Sequence, residues 1–154
     1  MQLVGVVNLA AFAWFASDVA WNWLGPAWPA AVLLFVGAFV LFFAAVQASK
    51  AAALTLAFAT DQPEVLLTHG PYRLVRHPFY SAYLTFWVAA ALARPGWTPW
   101  LPTVAFGVIY WHAGRREEAK FAASRFAGAY AAYRRETGML LPRGRLFFAR
   151  LIPP

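Results

Sequence analysis

The chain of 154 residues contains no cysteine, which removes disulfides, thiolate nucleophiles and cysteine-bound metal clusters from consideration. Charge is scarce as well. Only 12% of the residues are charged, against about 25% in an ordinary soluble domain, and just six are acidic. Histidine occurs three times, with neither an HExxH motif nor paired histidines at helical spacing, so no metal site is expected. The sequence has no glycine-rich phosphate loop and no arguable Ser/His/Asp arrangement. It also lacks an internal repeat, and its only biased tracts are Ala-rich segments of helical character. These gaps leave one domain, spanning 1–154, with few places where chemistry can reside.

What fills the chain is apolar. Hydrophobic residues make up 62% of it, and the mean hydropathy is +0.54. Four apolar stretches stand out, at 3–15, 28–48, 79–93 and 97–113. Only the second holds the roughly 20 apolar residues of a comfortable spanning helix. The first extends through Ala20 and Trp21 if Asp18 faces the bundle, and 1–49 then forms two N-terminal spans. Without a basic leader or a small-residue cleavage site, that first stretch is expected to be retained rather than removed as a signal peptide. The third and fourth are short and separated by Arg94-Pro95-Gly96, the pattern of a tight helical hairpin. Lipid tolerates only internally satisfied backbone, so the expected fold is all-α, an integral-membrane bundle of about four spans.

Charge placement predicts the orientation. Residues 113–154 carry nine Lys/Arg and three Glu, a net +6 of the chain's +7, and the 50–77 connection adds Lys50, Arg73 and Arg76. The connections near 18–22 and 94–96 hold a single Arg between them. Both basic segments, and with them both chain termini, are therefore expected in the cytoplasm. A basic tail beside a bilayer attracts anionic lipid headgroups, whereas nucleic acid is a poor partner for so apolar a chain.

Against this background the stretch His69-Gly70-Pro71-Tyr72-Arg73-Leu74-Val75-Arg76-His77-Pro78-Phe79-Tyr80 is dense in polar groups at a predicted membrane boundary, where such groups are costly and mark sites. The residue before a proline leaves the helical region, so His77 is expected in a turn or extended. Pro78 then suits the first position of the next helix. His69-Gly70-Pro71 supplies another turn upstream. A juxtamembrane anchor of Arg, Tyr and His explains these residues equally well on their own.

A second segment changes the balance. Gly114-Arg115-Arg116-Glu117-Glu118 precedes 119–135, where Phe121, Arg125 or Phe126, Ala129 and Tyr133 recur at helical spacing. This predicts a C-terminal amphipathic helix in the cytoplasm, with Glu117 and Glu118 in its first turn, favoured there by the helix dipole. The intervening hairpin brings the acid pair and the His77-Pro78 turn to one membrane face.

Gly-Pro-Tyr at 70–72, Arg-His-Pro-Phe-Tyr at 76–80, the Glu117-Glu118 pair and Tyr130-Ala-Ala-Tyr133 together resemble the isoprenylcysteine carboxyl methyltransferases and the related membrane phospholipid and thiol methyltransferases. The resemblance covers about 64–142. It implies S-adenosylmethionine as cofactor, held by a core over 50–154. It further implies cofactor contacts from Glu64, Val65, Leu66, Leu67, Tyr72, His77, Pro78, Phe79, Tyr80, Glu117 and Glu118. The implied catalytic residues are Arg115 and Glu118, and the implied partner is a lipophilic methyl acceptor arriving from the bilayer. Two positions depart from the family pattern. Ala82 stands where glycine is common, and Gly114 stands where the family places a substrate-side arginine four residues before the key acid. Arg115, three residues before Glu118, reaches the same helix face and is expected to take that role. Membrane steroid and enoyl reductases, which use NADPH, share a similar C-terminal layout, and a non-enzymatic membrane scaffold is the third possibility.

Overall fold

A computed structural model of the chain describes Ala13, residues 25–51 and residues 65–143. The first apolar stretch apart from Ala13, together with Asp18, Glu64, Arg145 and Arg150, lies outside these residues. Among the described residues every regular element is helical, as composition and patterning predict: α1 (Trp28–Ala51), a 3-10 turn (Gly70–Arg73), α2 (Pro78–Leu92), α3 (Trp100–Ala122) and α4 (Ala127–Glu136). One isolated parallel bridge joins Val75 to Gly138.

The 24 residues of α1 extend about 36 Å, enough to cross a hydrocarbon layer of about 30 Å. Its Trp28–Lys50 portion has a mean hydropathy of 2.6, and of the spans expected from sequence it alone, among the described residues, combines sufficient length and apolarity. Its burial pattern is the reverse of a soluble core helix. Leu33, Val36, Phe39, Val40 and Phe43 are exposed, while Ala31, Ala38, Ala45 and Ala48 are buried. Small residues inward allow close helix approach, and large apolar residues outward suit lipid. Phe35 meets Phe86 and Phe42 meets Phe79, with ring centroids 5.1 Å and 5.6 Å apart. α1 therefore runs antiparallel to α2, its start tied to Ala93 through the Gly25 amide at 2.9 Å.

The local rules at the start of α2 hold. His77 has φ −122° and ψ 69°, outside the helical region, and Pro78 occupies the first turn. Upstream, Gly70 takes a φ of +57° and lies close to Ala48 of α1, so the 3-10 turn needs glycine both for its backbone and for its closeness to the helix. α2 and α3 form the expected hairpin around buried Trp87, Ala90, Phe106 and Tyr110, and Thr103 Oγ1 donates to Trp87 O at 2.9 Å.

One expectation is overturned. Glu117 and Glu118 do not open the C-terminal helix; they lie inside α3, which continues unbroken to Ala122. The dipole argument for their placement therefore fails. The break falls later, at Ser124, whose hydroxyl donates to Phe121 O at 2.8 Å and accepts from the Phe126 amide at 3.1 Å. A serine hydroxyl competes with the helical ladder in this way, and α4 restarts at Ala127. Phe121 stacks on Tyr130 with centroids 5.0 Å apart, folding α4 back against α3.

Candidate active site

The fourfold spacing Phe106, Tyr110, Gly114, Glu118 defines the inward face of α3, and every one of these residues is buried. Where that face passes the start of α2, an electrostatic cluster forms. His77 Nδ1 lies 3.2 Å from Glu117 Oε2, and His77 Nε2 lies 3.6 Å from Glu118 Oε1. Tyr80 OH donates to Glu117 Oε1 at 2.6 Å. Arg76 Nε donates to Glu118 Oε1 at 2.7 Å, and the two side chains are only 6% and 5% exposed. Arg134, reaching over from α4, places Nε 3.6 Å from Glu118 Oε2.

Rings continue the cluster inward. His77 stacks on Tyr80, Tyr80 on Tyr110 and Tyr110 on Phe106, with centroids 5.6, 5.3 and 5.7 Å apart. Gly114 makes the convergence possible. A Cβ there would lie 2.6 Å from Met139 Cε and 3.3 Å from the His77 ring, so a side chain at 114 would displace both. A large cation at this position, as the family pattern has, would not fit beside His77 as it stands.

The electrostatics follow from burial set against pairing. Burial opposes charge on Glu118, but its pairing with His77 and the hydrogen bond from Arg76 outweigh it and hold the carboxyl down at about 2. Glu117 is likewise lowered, burial being overcome by hydrogen bonds from His77 and Tyr80. His77 moves the other way: burial disfavours its cation, yet the two carboxylates raise it above its ordinary value. Burial and the neighbouring Glu118 push Tyr130 up. At neutral pH the resting cluster is thus two ionised acids facing one histidine and two arginines.

After α4 the chain returns across this cluster. The Arg76 amide donates to Gly138 O at 2.8 Å, the His77 amide to Met139 O at 3.2 Å, and Ser81 Oγ to Leu140 O at 2.7 Å. Tyr133 OH donates to Tyr72 O at 2.6 Å, and Tyr72 OH pairs with Ser49 Oγ at 3.2 Å, joining α4, the 3-10 turn and α1.

Of the residues expected at the site, His77, Tyr80, Glu117 and Glu118 come together directly. Pro78 is buried immediately beside them, whereas Phe79 turns to Phe42 of α1. Tyr72 sits on the neighbouring 3-10 turn, and Val65, Leu66 and Leu67 form the irregular segment before it, with Leu67 buried and Val65 exposed. Arg115 is exposed, its guanidinium 5.9 Å from the Trp111 ring on the outer face of α3 rather than beside Glu118. Sequence reasoning did not place Arg76, Tyr110, Arg134 or Met139 in the cluster. The fourfold spacing from Phe106 to Glu118 was a readable signal for Tyr110; no local signal marks Arg134 or Met139.

Donor chemistry fits S-adenosylmethionine. Paired carboxylates match its cationic and hydroxyl groups, and the buried Nε2 of His77 lacks a hydrogen-bond partner. Among the described residues no group of His, Asp and Glu suits a metal ion.

The family model described as phospholipid methyltransferase matches residues 27–129. Two curated relatives, from Oryza sativa subsp. indica and Oryza sativa subsp. japonica, each bear the description "probable protein-S-isoprenylcysteine O-methyltransferase". Each is 33% identical over 82 residues, covering 52% of this chain and 40% of the relative, so the chain spans well under half the length of the relatives it matches. No solved structure matches the chain at comparable significance.

Proposed function

The chain belongs to the phospholipid methyltransferase family, and from that premise we propose that it transfers a methyl group from S-adenosylmethionine to a lipophilic acceptor at the cytoplasmic membrane face. The observation that carries this reading is the Glu117-Glu118 pair closed on His77 at the start of α2. When bound, the cofactor supplies an electrophilic methyl on a sulfonium. Glu117, Glu118, His77 and Tyr80 would hold it, with Tyr72, Pro78, Phe79 and the 64–67 segment around them.

The protein's own contribution is alignment and exclusion of water, which a single in-line displacement chiefly requires. Held near 2, the Glu118 carboxyl binds cations and hydroxyls well but accepts protons poorly at neutral pH. His77, raised by the same pair, is a donor in that state. A carboxylate acceptor is already a nucleophile and needs no base, so this resting state favours it over a lipid amine or thiol. Arg115, exposed beside Trp111, would orient an anionic acceptor from outside the cofactor cluster. The acceptor would arrive laterally from the bilayer, both termini would lie in the cytoplasm, and the basic tail would hold anionic headgroups.

The reading is tested by transfer of labelled methyl from S-adenosylmethionine, by the full chain in nanodiscs, to a prenylcysteine, phosphatidylethanolamine and a long-chain thiol. Label is expected in the prenylcysteine. Arg115→Ala should lower that transfer about tenfold or more, the cost of one charge-assisted contact, while leaving cofactor affinity unchanged. Folded protein that labels none of the three contradicts the reading.

A further inference from the structure

Arg76 has no place among the cofactor or acceptor contacts above, yet its surroundings are highly specific. Nε donates to Glu118 Oε1 at 2.7 Å, and Nη1 donates to Arg134 O at 3.3 Å and to Thr137 O. Those two carbonyls sit at the C-terminal end of α4, where the last acceptors lack partners within the helix and where a cation meets the negative end of the dipole. Its own amide pairs with Gly138 O. One planar fork therefore joins the approach to α2, the acid on α3 and the end of α4. Residues 137–140, which it secures, lie beyond the 27–129 stretch that the family model matches.

We propose that Arg76 is a positioning residue for cofactor binding: it clamps Glu118 through Oε1 and leaves Oε2 turned toward the ligand. Oε2 lies 3.6 Å from the half-exposed Arg134 side chain, a contact that an incoming polar group can replace, and Tyr130 also hydrogen-bonds the Glu118 carboxylate. The proposal rests on the assignment of the His77–Glu118 cluster to S-adenosylmethionine. A lysine cannot reproduce the clamp. Its ammonium is a point charge on a flexible stem, and it cannot satisfy a carboxylate and two carbonyls from a fixed plane.

Ser81 provides the control. Its hydroxyl also ties down the returning segment, through Leu140 O, but does not touch Glu118. Calorimetry of S-adenosylmethionine binding to the full chain in nanodiscs should compare wild type with Arg76→Lys, Arg76→Gln and Ser81→Ala. Arg76→Lys is expected to weaken binding about tenfold and Arg76→Gln about a hundredfold, the range for losing charge-assisted hydrogen bonds. In Arg76→Gln the pH below which affinity falls should also move upward, and in Arg76→Lys the acceptor KM at saturating cofactor should be unchanged. Ser81→Ala should stay within about twofold of wild type, since it loses contacts with the Leu140 and His77 carbonyls but none with Glu118. Arg76→Lys keeps the test decisive if Arg76→Gln does not fold.

Wild-type affinity in both Arg76 variants would overturn the proposal alone. So would a Ser81→Ala loss equal to that of Arg76→Gln, because the strap rather than Glu118 would then be the cause. A wild-type protein that binds no S-adenosylmethionine would overturn the cofactor assignment itself, and the Arg76 proposal with it.

Discussion

Glu118 and His77 set the behaviour of the site with pH, and their shifts have opposite signs. Glu118 is held at about 2 against an ordinary 4.5, so its contribution to stability is full above 4.5 and is lost as pH falls toward 2. His77 is raised above its ordinary 6.5, so its contribution is full below 6.5 and is lost as pH rises through the folded value. The melting temperature of the full chain is expected to be highest between 4.5 and 6.5 and to decline on both sides. His77→Gln should flatten the alkaline decline. A wild-type melting temperature that stays level as pH rises above 6.5 would contradict the His77–Glu pairing. Gly114 offers a steric test of the same contact. An alanine there gains about 1 kcal/mol of helix propensity, but it must push against the His77 ring at 3.3 Å and the mobile tip of Met139. Gly114→Ala is therefore expected to be net destabilising by about 1 kcal/mol, and to weaken cofactor binding. Stability and binding at or above wild type would show that the close approach is not needed. Glu118→Gln leaves buried Arg76 without its counter-charge, which should cost about 3 kcal/mol in thermal or denaturant unfolding.

At the scale of elements, the sequence was most legible where a backbone rule applies. Pro78 starts α2, His77 leaves the helical region, and Gly70-Pro71 makes a turn, because each depends on covalent geometry within a few residues. The boundary between α3 and α4 was not legible. An Ala-rich run supports helix on either side, and the break depends on one hydroxyl, that of Ser124, together with the Phe121–Tyr130 stack. Arg76 was visible as a neighbour of the motif but not as its buried clamp, since its acceptors lie 42 to 61 residues away. Glu117 and Glu118 were placed beside His77 by the α2–α3 hairpin, and that reason holds; what fails is their assignment to a helix start, since both lie within α3. Tyr133 tests how α4 is held. Tyr133→Phe removes the 2.6 Å bond to Tyr72 O and is expected to cost about 1 kcal/mol, read as a drop in melting temperature of a few degrees. No change would mean that ring packing alone seats α4.

At the scale of the whole molecule, the described residues pair one long apolar helix with a shorter hairpin. α2, at 15 residues, rises only about 22 Å against about 36 Å for α1. Phe79 is level with Phe42, nine residues before the end of α1, so the His77 cluster sits below that end by about 13 Å. The absence of cysteine makes topology directly measurable. Thr98→Cys, in the exposed turn before α3, and Arg116→Cys, exposed near its other end, should react with an impermeant maleimide from opposite sides of a vesicle. Labelling from one side would contradict the proposal that α3 spans the membrane. The central claim, that the acid pair and His77 form a cofactor site, is tested most directly by calorimetric binding of S-adenosylmethionine to the full chain in nanodiscs, alongside His77→Gln and Glu118→Gln. Saturable binding by the wild type, weakened about tenfold or more in each variant, is the expected result for loss of a charge-assisted contact. Wild-type protein that is folded yet binds nothing, or variants that bind as tightly as wild type, would contradict it.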